Sequence, residues 1–257
     1  MDKEGLLEAR DMNMEDEDEL QGSALSMAYS MVNPFVLKCA LRLKIPDIIS
    51  RAGHDVALSV QQIAAQLPSE APDVNALSRI LTYLSTMGIL QAIKPTEGTN
   101  APCRMNMKYA LTNLTKTYFT SEDINSLSLA PFVLLQTHPV FVGAWNHIHE
   151  RVLHGGDNFE NSSGKGKDFW TYTANDSEFN RIFNVGRVSL RKVGMTEILA
   201  TYDGFKDVNV LVHLGGGHGE VLSLITAAYP HIHAINFDLP HVIATAPTLP
   251  GILIWLP

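Results

Sequence analysis

The sequence predicts an α/β protein in which a mainly helical winged-helix domain precedes an incomplete, Rossmann-like domain. Two observations lead to this prediction. Apolar residues recur at helical spacing from Leu20 onward and lead into a two-stranded ribbon, whereas past Gly204 the pattern becomes strand, glycine turn, helix and strand. We expect an acidic disordered tail over residues 1–19, the winged-helix domain over 20–117 and the second domain over 118–257.

Capped helices followed by a ribbon predict the winged helix. Ser59 and Asp73 are placed to cap two successive helices, and strands at residues 89–94 and 104–111 can then pair across a loop. The helix that follows Asp73 carries one base, Arg79, although a helix that reads DNA normally presents several basic or amide side chains. We therefore expect this domain to pair chains rather than to bind nucleic acid.

Composition restricts the function classes further. The formal net charge of -8 disfavours electrostatic attraction to nucleic acid or to an anionic membrane. The acidic start has no apolar segment behind a basic one, so we expect a cytoplasmic protein.

The two cysteines, Cys39 and Cys103, give no disulfide framework. The pairs His147/His149 and His231/His233 lack a further ligand at metal-binding spacing, so no metal is expected.

Long helical patterns connect the two domains. They cover residues 126–136, 140–153 and 177–201, and a polar, glycine-rich segment at 155–167 separates the second from the third.

A βαβ unit carries the functional prediction. The apolar run 208–214 reads as a buried parallel strand, and the glycine-rich turn 215–219 directly follows it. Glycines allow positive φ and a close approach of a ligand to the backbone. A second strand ends in Asp238, where an acid is placed to accept hydrogen bonds from ribose hydroxyls.

The spacing within the turn bears on which nucleotide it binds. A dinucleotide fingerprint would require a glycine at the position of Glu220, and a carboxylate there would repel a pyrophosphate. The spacing Gly215-x-Gly217-x-Gly219 favours a cofactor with a ribose and no phosphate, and so points toward S-adenosylmethionine. A glycine turn without any ligand remains the alternative.

Two motifs resemble those of the plant caffeic acid-type O-methyltransferases. VHLGGGHG at 212–219 is similar to the first cofactor motif of that family, and INFDLPHV at 235–242 is similar to the second. The resemblance extends upstream through IAAQLP at 63–68 to about Leu20, and it includes FNRIFN at 179–184.

The resemblance implies a dimerisation domain followed by a class I methyltransferase domain that uses S-adenosylmethionine to methylate a phenolic hydroxyl of a small acceptor. It implies a homodimer, or a heterodimer with a related O-methyltransferase, with interlocked N-terminal domains. The motifs place cofactor contacts at Gly215, Gly217, Asp238 and Leu239 and apolar walls of the substrate cavity at Phe179 and Phe183. Two phenylalanines one helical turn apart are equally typical of an ordinary core.

The sequence also departs from the family pattern. His213 stands where the family has an acid, and Arg187, Leu190 and Arg191 stand where it has a methionine, a histidine and a serine. A cation in an apolar cavity carries a desolvation cost unless it is paired.

After Gly251 the chain does not continue into the family's later strands, which carry a histidine general base. No residue is therefore assigned as catalytic, and we expect this chain alone to be inactive; the alternative function is a non-catalytic dimerisation partner of intact O-methyltransferases. With only two strands expected, the first would have an open edge, which we expect either the apolar residues 252–256 or a full-length partner chain to cover.

Overall fold

The computed structural model describes residues 19–53, 55–94, 106–121, 127–163 and 168–255. The predicted disordered tail lies outside the described residues except for Glu19, which begins the first helix.

The N-terminal domain has the predicted winged-helix order of helices followed by a ribbon. Three short strands form an antiparallel sheet in the order β1-β3-β2, and the register Leu90↔Leu111 confirms the predicted ribbon. The two-residue strand β1 was not predicted. The elements are α1 (Glu19–Tyr29), α2 (Val32–Arg42), α3 (Ile45–Arg51), β1 (Leu58–Ser59), α4 (Val60–Ala64), α5 (Val74–Thr86), β2 (Leu90–Ile93), β3 (Lys108–Leu111) and α6 (Asn113–Tyr118).

Side-chain caps fix the start of both predicted helices. The Ser59 hydroxyl accepts a hydrogen bond from the backbone N–H of Gln62 at 3.2 Å, and the Gln62 side chain accepts one from the Ser59 N–H at 2.8 Å. Asp73 accepts one from the N–H of Ala76 at 2.9 Å. The apolar faces of these helices meet the sheet in one core, whose fully buried members include Ile45, Ile48, Ile63, Leu81, Leu84 and Tyr109.

Helix α1 lies outside this core. All of its residues are exposed, including Leu25, Met27 and Tyr29. No single described helix has the length and apolar content to cross a membrane, although α1 and α2, which meet at a bend of 49°, reach that threshold as a pair.

Between the winged helix and the second sheet, the described residues form six helices. The predicted helix 177–201 is confirmed as one continuous element, whereas the predicted helix 140–153 is two helices with a break at Asn146 and His147. Two further helices were not predicted. Asn158–Ser163 lies within the segment 155–167 that we predicted to be polar and glycine-rich, and Phe169–Asn175 follows that segment. The elements are α7 (Ala130–Gln136), α8 (Pro139–Trp145), α9 (Ile148–His154), α10 (Asn158–Ser163), α11 (Phe169–Asn175) and α12 (Ser177–Thr201).

The C-terminal unit is a parallel sheet in the strand order β4-β5-β6. The predicted βαβ unit is confirmed, but the expectation of only two strands was wrong. The apolar tail forms a third strand, which pairs with β5 from Ala234↔Ile252 to Phe237↔Trp255 instead of covering β4. Its four apolar residues complete the open side of β5. The elements are β4 (Val210–Leu214), α13 (Glu220–Ala228), β5 (His233–Phe237), α14 (Pro240–Ile243) and β6 (Ile252–Trp255).

Helix α12 positions the functional site. It packs against α7 on the side of the winged-helix domain and against α13 on the side of the parallel sheet. One face of α12 therefore lies opposite the carboxyl ends of β4 and β5, which is where ligands bind in open α/β sheets.

Candidate functional site

The glycine turn after β4 has the backbone conformation that its composition predicts. Gly215, Gly217 and Gly219 adopt φ values of 68°, 63° and 87°, a region that side chains disfavour. The Gly215 N–H donates a hydrogen bond to the Phe237 carbonyl at 2.8 Å, which ties the turn to the end of β5. The turn thus leads directly into α13, with free backbone N–H groups at the start of that helix.

Asp238 lies beside this turn. Its Oδ2 atom accepts a hydrogen bond from the Gly217 N–H at 2.7 Å, and its Oδ1 atom accepts one from the Leu239 N–H at 2.7 Å. The two sequence motifs, separated by a helix in the chain, are thereby joined through one carboxylate. Each carboxylate oxygen keeps further lone pairs for a ligand.

A cavity of about 660 Å³ opens between this junction and α12. Gly215, Gly217, Asp238 and Leu239, all predicted cofactor contacts, line it together with Phe183. Most of the atoms that the walls expose to the cavity are apolar, although several lining side chains carry polar ends. The remaining lining residues are Trp170, Thr173, Asn180, Asn184, Arg187, Val188, Arg191, Leu214, His218, Phe237 and Val242.

The two predicted wall residues have different environments. Phe183 lines the cavity, whereas Phe179 is buried behind it, 1% exposed, among aromatic rings. The Phe169 ring lies 4.9 Å from Phe183 and 6.1 Å from Phe179, centroid to centroid, and links the two. Trp170, on a helix that the sequence did not predict, extends the same wall.

A polar stripe crosses the apolar wall. Asn180, Asn184, Arg187 and Arg191 follow one another at spacings of four, three and four residues, which places them on one face of α12. The Asn184 amide donates a hydrogen bond to the Asn180 carbonyl oxygen at 3.0 Å, and both side chains are buried.

Family models match both halves of the chain. A model described as the O-methyltransferase dimerisation domain matches residues 25–121, and one described as the O-methyltransferase domain matches residues 145–252. The chain belongs to the plant-type O-methyltransferase family.

Curated plant proteins of this family show the same relationship along nearly the whole chain. A caffeic acid 3-O-methyltransferase from Ammi majus is 35% identical over 239 residues, which are 93% of this chain. An inositol 4-methyltransferase from Mesembryanthemum crystallinum is 36% identical over 240 residues, also 93% of this chain. The chain spans 64% of the length of each of these two relatives.

Solved structures of lower sequence identity share the fold. Human N-acetylserotonin methyltransferase, solved in complex with SAM, superposes with a TM-score of 0.76 at 17% identity. The match covers 93% of this chain and 66% of the human one.

Asn236 is a site residue of this O-methyltransferase chain that our motif analysis did not single out. Its side-chain amide, 1% exposed, donates a hydrogen bond to the Gly217 carbonyl at 2.9 Å. A Cβ atom on Gly216 would collide with the Asn236 Oδ1 atom. The absence of a side chain at Gly216 therefore leaves room for Asn236, which holds the turn through its hydrogen bond to Gly217.

Arg191 brings a positive charge to the glycine turn. A Cβ atom on Gly217 would lie 3.2 Å from the Arg191 Nη1 atom, so the guanidinium lies directly against the glycines. Burial and the neighbouring Arg187 lower the pKa of Arg191, while Glu220 and Asp238 act in the opposite direction.

His213 responds to the same charge. Burial lowers the pKa of His213 below its ordinary value, Arg191 lowers it further, and Asp238 partly offsets both. The residue that replaces the family's acid is thus held neutral next to an arginine.

His218 is the one histidine among the described residues that line the cavity. Its Nε2 atom lies 3.2 Å from the Thr245 hydroxyl, and its Nδ1 atom lies 3.8 Å from a Glu220 oxygen. These contacts hold the ring at the edge of the glycine turn.

Proposed function

We propose that the glycine turn and Asp238 bind S-adenosylmethionine, and that the protein serves the transfer of its methyl group to a hydroxyl of a small phenolic acceptor. The hydrogen bond from Gly217 to Asp238 carries this proposal, because it brings both motifs to one cavity. The activities named for the plant relatives and the SAM complex of the human structure support it.

The residues present fit an adenosyl donor. Asp238 offers acceptor lone pairs for two ribose hydroxyls, and Leu214, Leu239 and Val242 give the cavity apolar walls. Glu220 begins α13 where a dinucleotide would place its pyrophosphate, and its negative charge disfavours that ligand. When bound, S-adenosylmethionine supplies an electrophilic methyl group.

Phe183 and Trp170 would form the wall against which an aromatic acceptor packs, with Phe179 supporting Phe183 from behind. Methyl transfer requires the acceptor hydroxyl to lose its proton, because a neutral phenol with a pKa near 10 is a weak nucleophile. Among the described lining residues, His218 and Asp238 are the candidates to take it, and both are engaged in holding the turn. We therefore expect residues 1–257 to bind the donor and to methylate the acceptor only slowly.

The N-terminal domain would pair two chains. The apolar side chains of helix α1 are exposed, and Met27 is 79% exposed. A match to the O-methyltransferase dimerisation domain covers the end of this helix. A homodimer would cover these side chains, and a heterodimer with a related O-methyltransferase would cover them equally well.

A non-catalytic dimerisation partner is the second candidate function. The exposed apolar helix and the lack of an unengaged base among the described cavity residues favour it. The two functions differ in whether a phenol is methylated when this chain is the sole protein present.

Calorimetry with S-adenosylhomocysteine tests the donor site, and NADH serves as the comparison ligand. We expect saturable binding of S-adenosylhomocysteine at one site per chain and no binding of NADH. Binding of NADH alone would overturn the proposal. A methylation assay with a caffeate-type phenol then distinguishes the two functions: steady turnover by the purified chain would exclude the non-catalytic one.

A further inference from the structure

Two arginines face a mainly apolar cavity without a direct partner. Arg187 and Arg191 are partly buried, both line the cavity, and among the described residues neither makes a hydrogen bond or an ion pair within 4 Å. A guanidinium carries five N–H donors and stays charged at neutral pH. Burying such a group without an acceptor is costly.

The acids nearby do not neutralise this pair. Glu220 and Asp238 are close enough to influence Arg191, but both Asp238 oxygens already accept backbone hydrogen bonds. Arg187 and Arg191 also repel each other. The cavity therefore has a local excess of positive charge and unused donors, which an anionic ligand would satisfy.

We propose that Arg187, assisted by Arg191, binds a carboxylate of the acceptor, so that this chain selects an acid over the corresponding neutral compound through two residues that stand where the family has a methionine and a serine. This inference rests on the proposed function for the identity of the second ligand. The planar fork of a guanidinium matches a carboxylate in a bidentate arrangement. Asn180 and Asn184 continue the stripe and offer further amide groups to polar atoms of the same ligand.

The positions of the two arginines assign the carboxylate to the acceptor. Arg191 lies against the glycine turn, where the donor would bind. Arg187 is one helical turn away, adjacent along α12 to Phe183 and Asn184. The amino-acid carboxylate of the donor is the other source of the same chemistry, and the test separates the two.

Calorimetry on the full 257-residue chain compares 4-hydroxycinnamate with its neutral carboxamide, with and without S-adenosylhomocysteine. We expect the acid to bind about ten- to a hundredfold more tightly than the amide, as for a hydrogen bond to a charged group. The variants Arg187→Met and Arg187→Gln should abolish this preference, and Arg191→Met should reduce it. Arg181→Met is the matched control, since Arg181 is exposed on the same helix and does not line the cavity.

The donor arm compares S-adenosylhomocysteine with 5′-methylthioadenosine, which lacks the amino-acid carboxylate. The assignment to the acceptor is overturned if the Arg187 variants no longer prefer S-adenosylhomocysteine over 5′-methylthioadenosine but still prefer 4-hydroxycinnamate over its carboxamide. Equal binding of acid and amide by the wild-type chain, or binding of neither, also overturns it. If S-adenosylhomocysteine does not bind at all, the proposed function fails, but the acid–amide comparison without it still decides this inference.

Discussion

The backbone N–H of Gly217 and the side chain of Asp238 form a 2.7 Å hydrogen bond across the carboxyl ends of β4 and β5. This contact joins two motifs that lie 21 residues apart in the chain. It also fixes the turn at residues 215–219, which lines the 660 Å³ cavity and has three glycines at positive φ.

Asp238→Asn should weaken binding of S-adenosylhomocysteine about ten- to a hundredfold. The asparagine side chain keeps one acceptor oxygen, whereas the aspartate uses both of its oxygens toward backbone N–H groups. The NH₂ group of the asparagine would also face a backbone N–H donor. A hydrogen bond to a charged group is worth about 1.5–3 kcal/mol. Calorimetry measures the affinity. Asp203→Asn is the control, since Asp203 is exposed and pairs with Lys206 away from the cavity; equal effects of both variants would contradict a specific role for Asp238.

Arg191→Met should raise the pKa of His213. Burial keeps that pKa low in both proteins, but the variant removes the second cause, the adjacent guanidinium, and leaves the opposing influence of Asp238. Titration of the His213 ring signals by NMR measures the change. Arg181→Met should leave the pKa of His213 where it is, and a similar rise in that variant would point to an indirect effect.

His213 should also make the free energy of unfolding depend on pH. Its folded-state pKa is below the ordinary value of 6.5, so the unfolded chain takes up a proton first as the pH falls. The contribution is complete above pH 6.5 and is lost as the pH falls through the folded-state pKa. Urea unfolding between pH 7.5 and 5 should show a shallower loss for Arg191→Met than for the wild type, and an identical or steeper loss would contradict the assignment.

Much of the fold was predictable because local signals and tertiary packing agree. The caps at Ser59 and Asp73, the ribbon and the βαβ unit follow from side-chain hydrogen bonds and apolar periodicity, and the structure has all of them. Helix α11 was not predicted because the segment before it in the sequence is polar. In the structure its Phe169 packs against Phe179 and Phe183. The third strand was missed because four apolar residues acquire a sheet partner only once β5 is in place.

The candidate site was predictable in part. The glycine turn and Asp238 are visible as motifs, but the role of Asn236 depends on its approach from β5 to Gly216 in the turn after β4. Likewise, the spacing of Arg187 and Arg191 shows a shared helix face, while only the packing of α12 shows that this face lines the cavity.

Gly186→Ala should destabilise the protein by about 1–3 kcal/mol through overpacking. Gly186 lies where α12 crosses α7, and an added Cβ would come within 2.8 Å of Leu135 side-chain atoms and 3.2 Å of the Pro131 carbonyl oxygen. Urea denaturation measures the free energy of unfolding.

Gly194→Ala is the matched control on the same helix. Nothing lies within 4 Å of an added Cβ at Gly194, so the alanine should stabilise the helix by about 0.5–1 kcal/mol. If both alanine variants shifted stability in the same direction, the close crossing of α12 and α7 would be refuted.

Leu25→Glu with Met27→Glu should convert a dimer to monomers. Both side chains are exposed on α1, 51% and 79% respectively, and a charge in a paired apolar interface has a high desolvation cost. Sedimentation velocity measures the mass. Gln21→Glu adds a charge on the same helix without removing an apolar side chain, and this variant should stay dimeric. A wild-type chain that is monomeric at micromolar concentration would contradict the proposal.

A crystal structure of this chain with S-adenosylhomocysteine tests the donor site most directly. We predict ribose hydroxyls within hydrogen-bonding distance of the Asp238 carboxylate and the amino-acid part of the ligand alongside the glycine turn at residues 215–219. A ligand bound elsewhere on the chain, or one whose ribose points away from Asp238, would contradict the account.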